Sequence, residues 1–271
     1  AQGCVTAGPR RDGPLRIMSL NVLHGFPRFA HLEQRLALVA QVMREKDADI
    51  VLLQEVPWHW GSSASRLAKE TGLNHLYLRA NGNRWAMLFE EGEAILSRCP
   101  LRDAAFAELE PGAGPFEHRV ALGATADTFW GLVRVYSTHL TNGEPEVNAG
   151  QATSLAAYVA RSGAGPALVG GDFNAEEGEP QIRALDWVDT YRQANPGDPG
   201  FTCCVGALTS GTAEAGHFMD LDKRIDYLFL EPARRAEVVS SRRVLDEPYW
   251  TGGVWLWASD HVGLLSEIEL K

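Results

Sequence analysis

Asp172 and Asn174 stand two residues apart in the stretch Gly-Gly-Asp-Phe-Asn, residues 170–174. Residues two apart in extended chain point the same way, so a carboxylate and an amide share one face. The carboxylate can hold a cation or a water, and the amide can donate to developing negative charge. The preceding Gly170-Gly171 would let the backbone turn sharply or approach a ligand closely. An Asx-rich turn would explain the stretch alone. It is one of several, however: Asn21, Glu55, His139, Asp226, Asp260 and His261 also close or open apolar runs. Carboxylates and amides are hard oxygen donors, which suit Mg²⁺ or Mn²⁺ better than zinc. Two histidines beside carboxylates provide proton transfer and phosphate contact. With neither a Walker-type phosphate loop nor a nucleophile elbow in the chain, this set suits a metal-activated water attacking a phosphoester.

The elements that must position these groups are legible in outline. Residues 15–20 read as a strand ending in Asn21, and 49–54 as a buried strand ending in Glu55. Between them, Leu32, Leu36, Val39, Ala40 and Met43 recur at helical spacing, predicting a helix over 31–46. A short helix is expected over 62–71, stopped by Gly72. Strands are expected at 74–79, 84–89 and 93–98, with turns at Asn81-Gly82-Asn83 and Glu91-Gly92. Arg98 reads as an ion-pair partner at a strand end. Segment 100–117, rich in Pro and Gly, reads as partly loop. Strands at 120–124 and 129–137 pair across a turn at Ala126-Asp127, and the second runs into His139. A helix over 144–162, with Val147, Ala156, Tyr158 and Val159 on its apolar side, precedes the strand 166–169. Further on come a short helix near 179–185, an exposed loop at 206–216, a strand at 224–230 interrupted by Asp226, a strand at 235–244, and a last strand after Asp260-His261.

Composition bounds the function. The chain has 271 residues, 45% hydrophobic and 22% charged, enough for a sizeable core. No run approaches a membrane span. A formal charge of −10 argues against a broad basic footprint for nucleic acid or anionic membrane, although a bound cation can bridge an acidic site to phosphate. Cys4, Cys99, Cys203 and Cys204 fit no zinc spacing. The adjacent pair is unsuited to bonding each other; a link from Cys4 to one of them, or reduced buried thiols, are the readings left. Residues 1–14 read as a flexible N-terminus. Ala-Gln-Gly-Cys also resembles a bacterial lipoprotein cleavage site with Cys4 as lipid acceptor, so the compartment stays open between envelope, by secretion or lipid anchor, and cytoplasm. No linker divides residues 15–271, which read as one catalytic domain, expected as a monomer.

Seven short strings occur in one order: Ser19-Leu-Asn21, Asp49-Ile-Val-Leu-Leu-Gln-Glu55, Ala94-Ile-Leu-Ser-Arg98, Ser137-Thr-His139-Leu, Gly171-Asp-Phe-Asn174, Arg224-Ile-Asp226-Tyr and Ser259-Asp-His261. In this the sequence resembles the endonuclease/exonuclease/phosphatase superfamily with the deoxyribonuclease I-like fold, and its small single-domain bacterial members most. The resemblance implies a four-layer α/β sandwich, two central mainly antiparallel sheets flanked by helices, with the site at one end. It implies that Glu55 binds Mg²⁺ or Mn²⁺, with Asn21 and Asp260 completing the metal and water shell. Asp226 would orient His261. Asp172 or His261 would take the water's proton, and His139 and Asn174 would donate to phosphate. Glu93 or Glu117 would pair with His139, Arg119 would wall the site, and Thr202 would brace a turn. The substrate would be a phosphodiester, with a nuclease-type substrate placed first. A phospholipid head group, cleaved as by a sphingomyelinase or phospholipase C, comes next, on the aromatics of 249–257. A phosphomonoester would need a basic cluster, for which Arg234-Arg235 and Arg242-Arg243 are the densest pairs, and a degenerate binding scaffold would have lost some of the site.

Overall fold

The computed structural model describes Cys4 and residues 13–115, 117–163, 165–212, 221–231 and 236–271. The expected N-terminal segment, part of the 206–216 loop and Arg234-Arg235 lie outside the described residues. Two six-stranded sheets face each other. The first takes β1 (Leu15–Asn21), β2 (Ile50–Trp58), β3 (Asn74–Asn83), β4 (Phe89–Ser97), β12 (Ala236–Val244) and β15 (Gly263–Leu270) in the order β12-β15-β1-β2-β4-β3. The second takes β5 (Leu101–Glu108), β6 (Val120–Thr128), β7 (Gly131–His139), β8 (Ala167–Asp172), β9 (Val188–Asp189) and β11 (Asp226–Glu231) in the order β5-β6-β7-β8-β11-β9. A small third sheet joins β10 (Thr209–Ser210), β13 (Tyr249–Trp250) and β14 (Trp255–Leu256).

Each large sheet is antiparallel except at one central pair. β1 and β2 run parallel with helix α1 (Leu32–Glu45) between them in sequence; β7 and β8 run parallel with α3 (Pro145–Arg161) between them. A parallel pair needs such a crossover, and it leaves the two strand ends side by side. Asn21 and Glu55 therefore come out at the same end of one sheet, His139 and Asp172 at the same end of the other.

Strand alternation builds the layers. Ile17, Ile50, Leu52, Leu168 and Leu228 point between the sheets, while Met18, Leu20, Val51 and Leu53 pack outward with Leu36, Val39 and Met43 of α1. On the far side Val169, Tyr227 and Phe229 pack with Leu155 and Val159 of α3. This is the four-layer sandwich, with apolar side chains at period 2 in strands and about 3.6 in helices. Helix α2 (Ser63–Thr71) starts as expected, with Ser62 Oγ accepting from Ser65 N, and Arg98 fixes its strand end through Asp49. In α3 only Val159 of the four expected apolar-face residues is fully buried; Asn148, Gln151, Ala152 and Leu155 fill the rest of that face.

Several boundaries differ from the sequence reading. The strand expected at 84–89 is a turn, set by Asn83 Oδ1 accepting from Trp85 N and Ala86 N, and Asn81–Asn83 and Glu91-Gly92 lie within β3 and β4. β5 takes up Leu101–Glu108 of the segment 100–117 expected to be partly loop; as an edge strand with mostly exposed residues it carries little apolar pattern. The β6–β7 hairpin turns at Phe129-Trp130, where Thr128 Oγ1 donates to Gly131 O, rather than at Ala126-Asp127. Asp226 opens β11 instead of interrupting it. Helix α4 (Pro180–Arg183) is shorter than expected, and β9 with α5 (Thr190–Ala194) went unread. Gly170 and Gly171 make no turn but lie within β8. A Cβ on Gly170 would lie 2.7 Å from Leu52 Cδ1 of the facing sheet, and one on Gly171 would lie 2.3 Å from Thr138 O of β7. Cys4 pairs with Cys99, and Cys203 with Cys204, in place of the cysteine pairing expected.

Candidate active site

All eight sequence-predicted residues sit at one end of the two sheets. His139, Asp172 and Asp226 are direct neighbours across β7, β8 and β11. Asn21 ends β1, while Asp260 and His261 directly precede β15, the antiparallel neighbour of β1. Glu55 is not at a strand end. It lies inside β2 at a bulge between Leu53 and Val56, with φ of 53°. Without that extra residue the alternation would send its side chain to the outer layer with Leu53; the bulge re-aims it into the site. Asn174 also holds a positive φ, 48°, and its N–H donates to Asp172 Oδ1 at 3.0 Å. Left-handed backbone at non-glycine residues costs energy and concentrates at sites.

One chain of polar contacts crosses between the sheets. Asn21 Nδ2 donates to Glu55 Oε1 and to Asp172 Oδ2, both at 3.0 Å. Asp172 Oδ2 lies 3.6 Å from His261 Nε2, and His261 Nδ1 lies 2.9 Å from Asp226 Oδ2. On the other side His139 Nε2 is 3.4 Å from Asp172 Oδ2 and 3.1 Å from Asn174 Nδ2, which also donates to Leu140 O. Asp172, Asp226, His139 and His261 are all buried.

Burial and charge set the protonation pattern. Burial lifts the Asp172 carboxyl to about 7, with the Asp226 charge adding to the effect and His261 opposing it. His261 is held well above the usual imidazole range; burial alone would lower it, but Asp226 and Asp172 flank it with negative charge. His139 is pushed well below that range, by burial first and then by the Arg119 charge, so it is neutral. Burial also raises Asp260, and Glu55 adds to the rise.

The donor set fits a hard divalent cation. Glu55 and Asp260 repel each other across one opening, Asn21 adds an amide, and Asp226 Oδ1 is buried with no partner. Asp172, Asp226 and His261 also have ligating atoms within 4.8 Å of one another. Of these three, His261 Nδ1 hydrogen-bonds Asp226 Oδ2 at 2.9 Å, while Asp172 Oδ2 stands 3.6 Å from His261 Nε2; Glu55, Asp260 and Asn21 form the second oxygen-donor set that would hold a metal.

Neither Glu93 nor Glu117 bonds His139. Glu93 meets Ser137 Oγ at 2.7 Å, Glu117 pairs with Arg119 and Thr141, and the carboxylate beside His139 is Asp172. Thr202 is structural, its Oγ1 accepting from Ile225 N and Asp226 N. In the 249–257 stretch Leu256 and Trp257 are buried packing, whereas Trp250 is exposed.

Arg35 went unread. Its guanidinium, 1% exposed, donates to Val22 O, Leu23 O, Ala30 O and Ala258 O at 2.8, 3.0, 3.0 and 3.3 Å. It thereby ties the segment after Asn21 to the segment before Asp260. Ser259 Oγ adds a second tie, donating to Asn21 O at 2.6 Å. The available signal was an arginine three residues after Leu32 and four before Val39, on the apolar stripe of α1.

The sequence profile of the Endonuclease/Exonuclease/phosphatase family matches residues 18–261. No curated protein is similar enough to match. Among solved structures, an endonuclease/exonuclease/phosphatase from Beutenbergia cavernae is 24% identical, with TM-score 0.69, covering 95% of this chain and 72% of its own. The mannosyl-6-phosphatase of Bacteroides thetaiotaomicron is 16% identical, with TM-score 0.71 and coverage of 94% and 100%. The catalytic domain of human Nocturnin with bound sulfate is 19% identical, with TM-score 0.70 and coverage of 95% of both chains. At these identities the structures establish a common fold. With the profile spanning nearly the whole chain, this protein belongs to the Endonuclease/Exonuclease/phosphatase family.

Proposed function

We propose that the protein is a divalent-metal-dependent phosphodiester hydrolase. The observation that carries this reading is the buried chain Asp226–His261–Asp172 facing the Glu55–Asp260 opening, with 2.9 Å and 3.6 Å between successive groups. Glu55, Asp260 and Asn21 would hold a Mg²⁺ or Mn²⁺, which would supply positive charge against the developing negative charge on phosphate. Asp172, with a pKa lifted to about 7, takes the proton of the attacking water, because a base works best near the ambient pH. The water oxygen forms the new P–O bond as the bond to the departing alcohol breaks, and that alkoxide takes a proton from solvent. His261, kept charged by Asp226 and Asp172, stabilises the phosphoryl oxygens. Asn174 and neutral His139 donate to the same oxygens once substrate replaces their mutual contact.

A diester is preferred to a monoester because the described arginines beside the site are already engaged. Arg35 serves four carbonyls and Arg119 serves Glu117. A monoester dianion asks for more free positive charge than a monoanionic diester.

The test is turnover of bis(p-nitrophenyl) phosphate against p-nitrophenyl phosphate, in EDTA and with Mg²⁺ or Mn²⁺. Metal-dependent diester cleavage is expected, and Asp172→Ala and His261→Ala should each lower kcat by about 10³-fold or more. Undiminished turnover by both variants sinks the assignment.

A further inference from the structure

Five large apolar side chains stand bare on three loops around the Glu55 opening: Phe26 at 43% exposure, Trp60 at 75%, Trp85 at 89%, Met87 at 52% and Leu88 at 47%. We propose that they form a docking surface for a zwitterionic phospholipid–water interface, which presents a lipid phosphodiester to the site. The substrate half of this statement rests on the hydrolase reading above; the surface itself does not.

The surface is continuous with the site. Glu55 Oε2 accepts from His24 N at 3.1 Å, and the His24 ring lies 5.2 Å from Phe89. Phe26 stacks on Phe89 at 4.7 Å. Phe29 stacks on His59 at 3.8 Å, and His59 meets Trp60 edge-on at 5.9 Å. Arg84, beside Trp85, lies over the Trp58 ring at 5.1 Å and pairs with Glu90, which anchors the hairpin tip. Whatever covers these side chains is therefore held against the metal-side carboxylate. Trp60 and Leu88 hold φ of 54° and 53°, conformations bulky residues adopt only where the surroundings impose them.

The chemistry of the surface selects the occupant. Tryptophan at loop tips suits the head-group level of a bilayer, where an apolar ring and a polar N–H are both satisfied. Met87 and Leu88 offer a hydrocarbon phase something to solvate and offer a nucleobase no stacking face. The net charge of −10 also disfavours a polyanion: among the described residues Arg84 is paired with Glu90 and Arg79 Nη1 donates to Gly82 O, so the exposed Arg28 beside Phe26 is a lone cation rather than part of a basic cluster. The same charge disfavours an anionic leaflet, which leaves a zwitterionic one.

The test uses the whole protein and sonicated phosphatidylcholine vesicles in EDTA, so that binding is read without turnover. Co-sedimentation and a blue-shifted tryptophan emission are expected, and Trp60→Ala/Trp85→Ala should weaken partition by about tenfold or more at unchanged melting temperature. Absence of partition by the unsubstituted protein overturns the proposal, as does partition that the substitutions leave intact. Two further results also overturn it: emission quenched by a single-stranded oligonucleotide but not by vesicles, or a concentration-dependent dimer that the substitutions abolish. Vesicle binding without bis(p-nitrophenyl) phosphate turnover would remove the hydrolase reading and leave the surface standing. The reverse would remove the surface alone.

Discussion

Arg35→Met should unfold the protein far more easily than its position on a helix suggests. The guanidinium makes four hydrogen bonds to buried or half-buried carbonyls. A bond from a charged donor contributes roughly 1.5–3 kcal/mol, so the four amount to about 6–12 kcal/mol gross. Burying the charge opposes this: burial lowers the Arg35 pKa from the ordinary guanidinium range to about 10, a cost on the order of 3 kcal/mol. Methionine would recover some packing in the vacated space. A net loss of about 4 kcal/mol is expected, or a melting temperature lower by ~10 °C for a chain of this length. Urea and thermal denaturation of both proteins measure it. Arg35→Lys separates charge from geometry. One ammonium keeps the charge but cannot reach four carbonyls on different segments, so most of the loss should remain. The metal side should weaken too, because Val22, Leu23 and Ala258 flank Asn21 and Asp260; calorimetry with Mn²⁺ reads that separately. A loss below about 1 kcal/mol for Arg35→Met, or full recovery by lysine, would refute the argument that the planar fork ties these segments.

Two further substitutions test the packing beneath the site. Burial raises the Glu93 carboxyl well above its ordinary 4.5, and the hydrogen bonding agrees. Ser137 has one hydroxyl proton but faces both Leu53 O and Glu93 Oε2, so a protonated Glu93 donating to Ser137 satisfies all three. A raised folded pKa means stability that is complete below the unfolded pKa and falls as pH rises through the folded one. Glu93→Gln should therefore gain stability over the unsubstituted protein at neutral and alkaline pH and show no gain near pH ~4, and parallel stability–pH curves would contradict it. Gly171→Ala places a methyl 2.3 Å from Thr138 O, a backbone atom that cannot swing aside; a loss of about 2–3 kcal/mol in urea denaturation and lower turnover through displaced His139 and Asp172 are expected. An alanine variant of normal stability would show that β7 and β8 can separate.

The eight site residues were readable because each follows or precedes an apolar run, and a strand end is a local feature. Residues 15–20 and 49–54 show their burial in their own composition, and α1 shows its period. What the sequence left obscure depends on partners far away in the chain. Glu55 reads as a strand terminus, yet β2 continues to Trp58, and only the bulge against β4 turns the carboxylate inward. The partner of His139 was open between two glutamates until the register of β7 and β8 set Asp172 beside it. Gly170 and Gly171 read as turn or ligand glycines, because a sequence carries no record of the facing sheet that fills their Cβ positions. β5 was missed because an edge strand facing water has no apolar alternation to show. Composition and spacing by themselves determined the strand-end chemistry and the hard-oxygen donor set, and the family resemblance implied the four-layer arrangement that the sheets form. The tertiary structure decided which groups touch, which carboxyls are lifted by burial, and that Arg35 clamps the site. Those depend on the distance and dielectric between segments up to 238 residues apart, as for Ser259 and Asn21, and no local pattern encodes them.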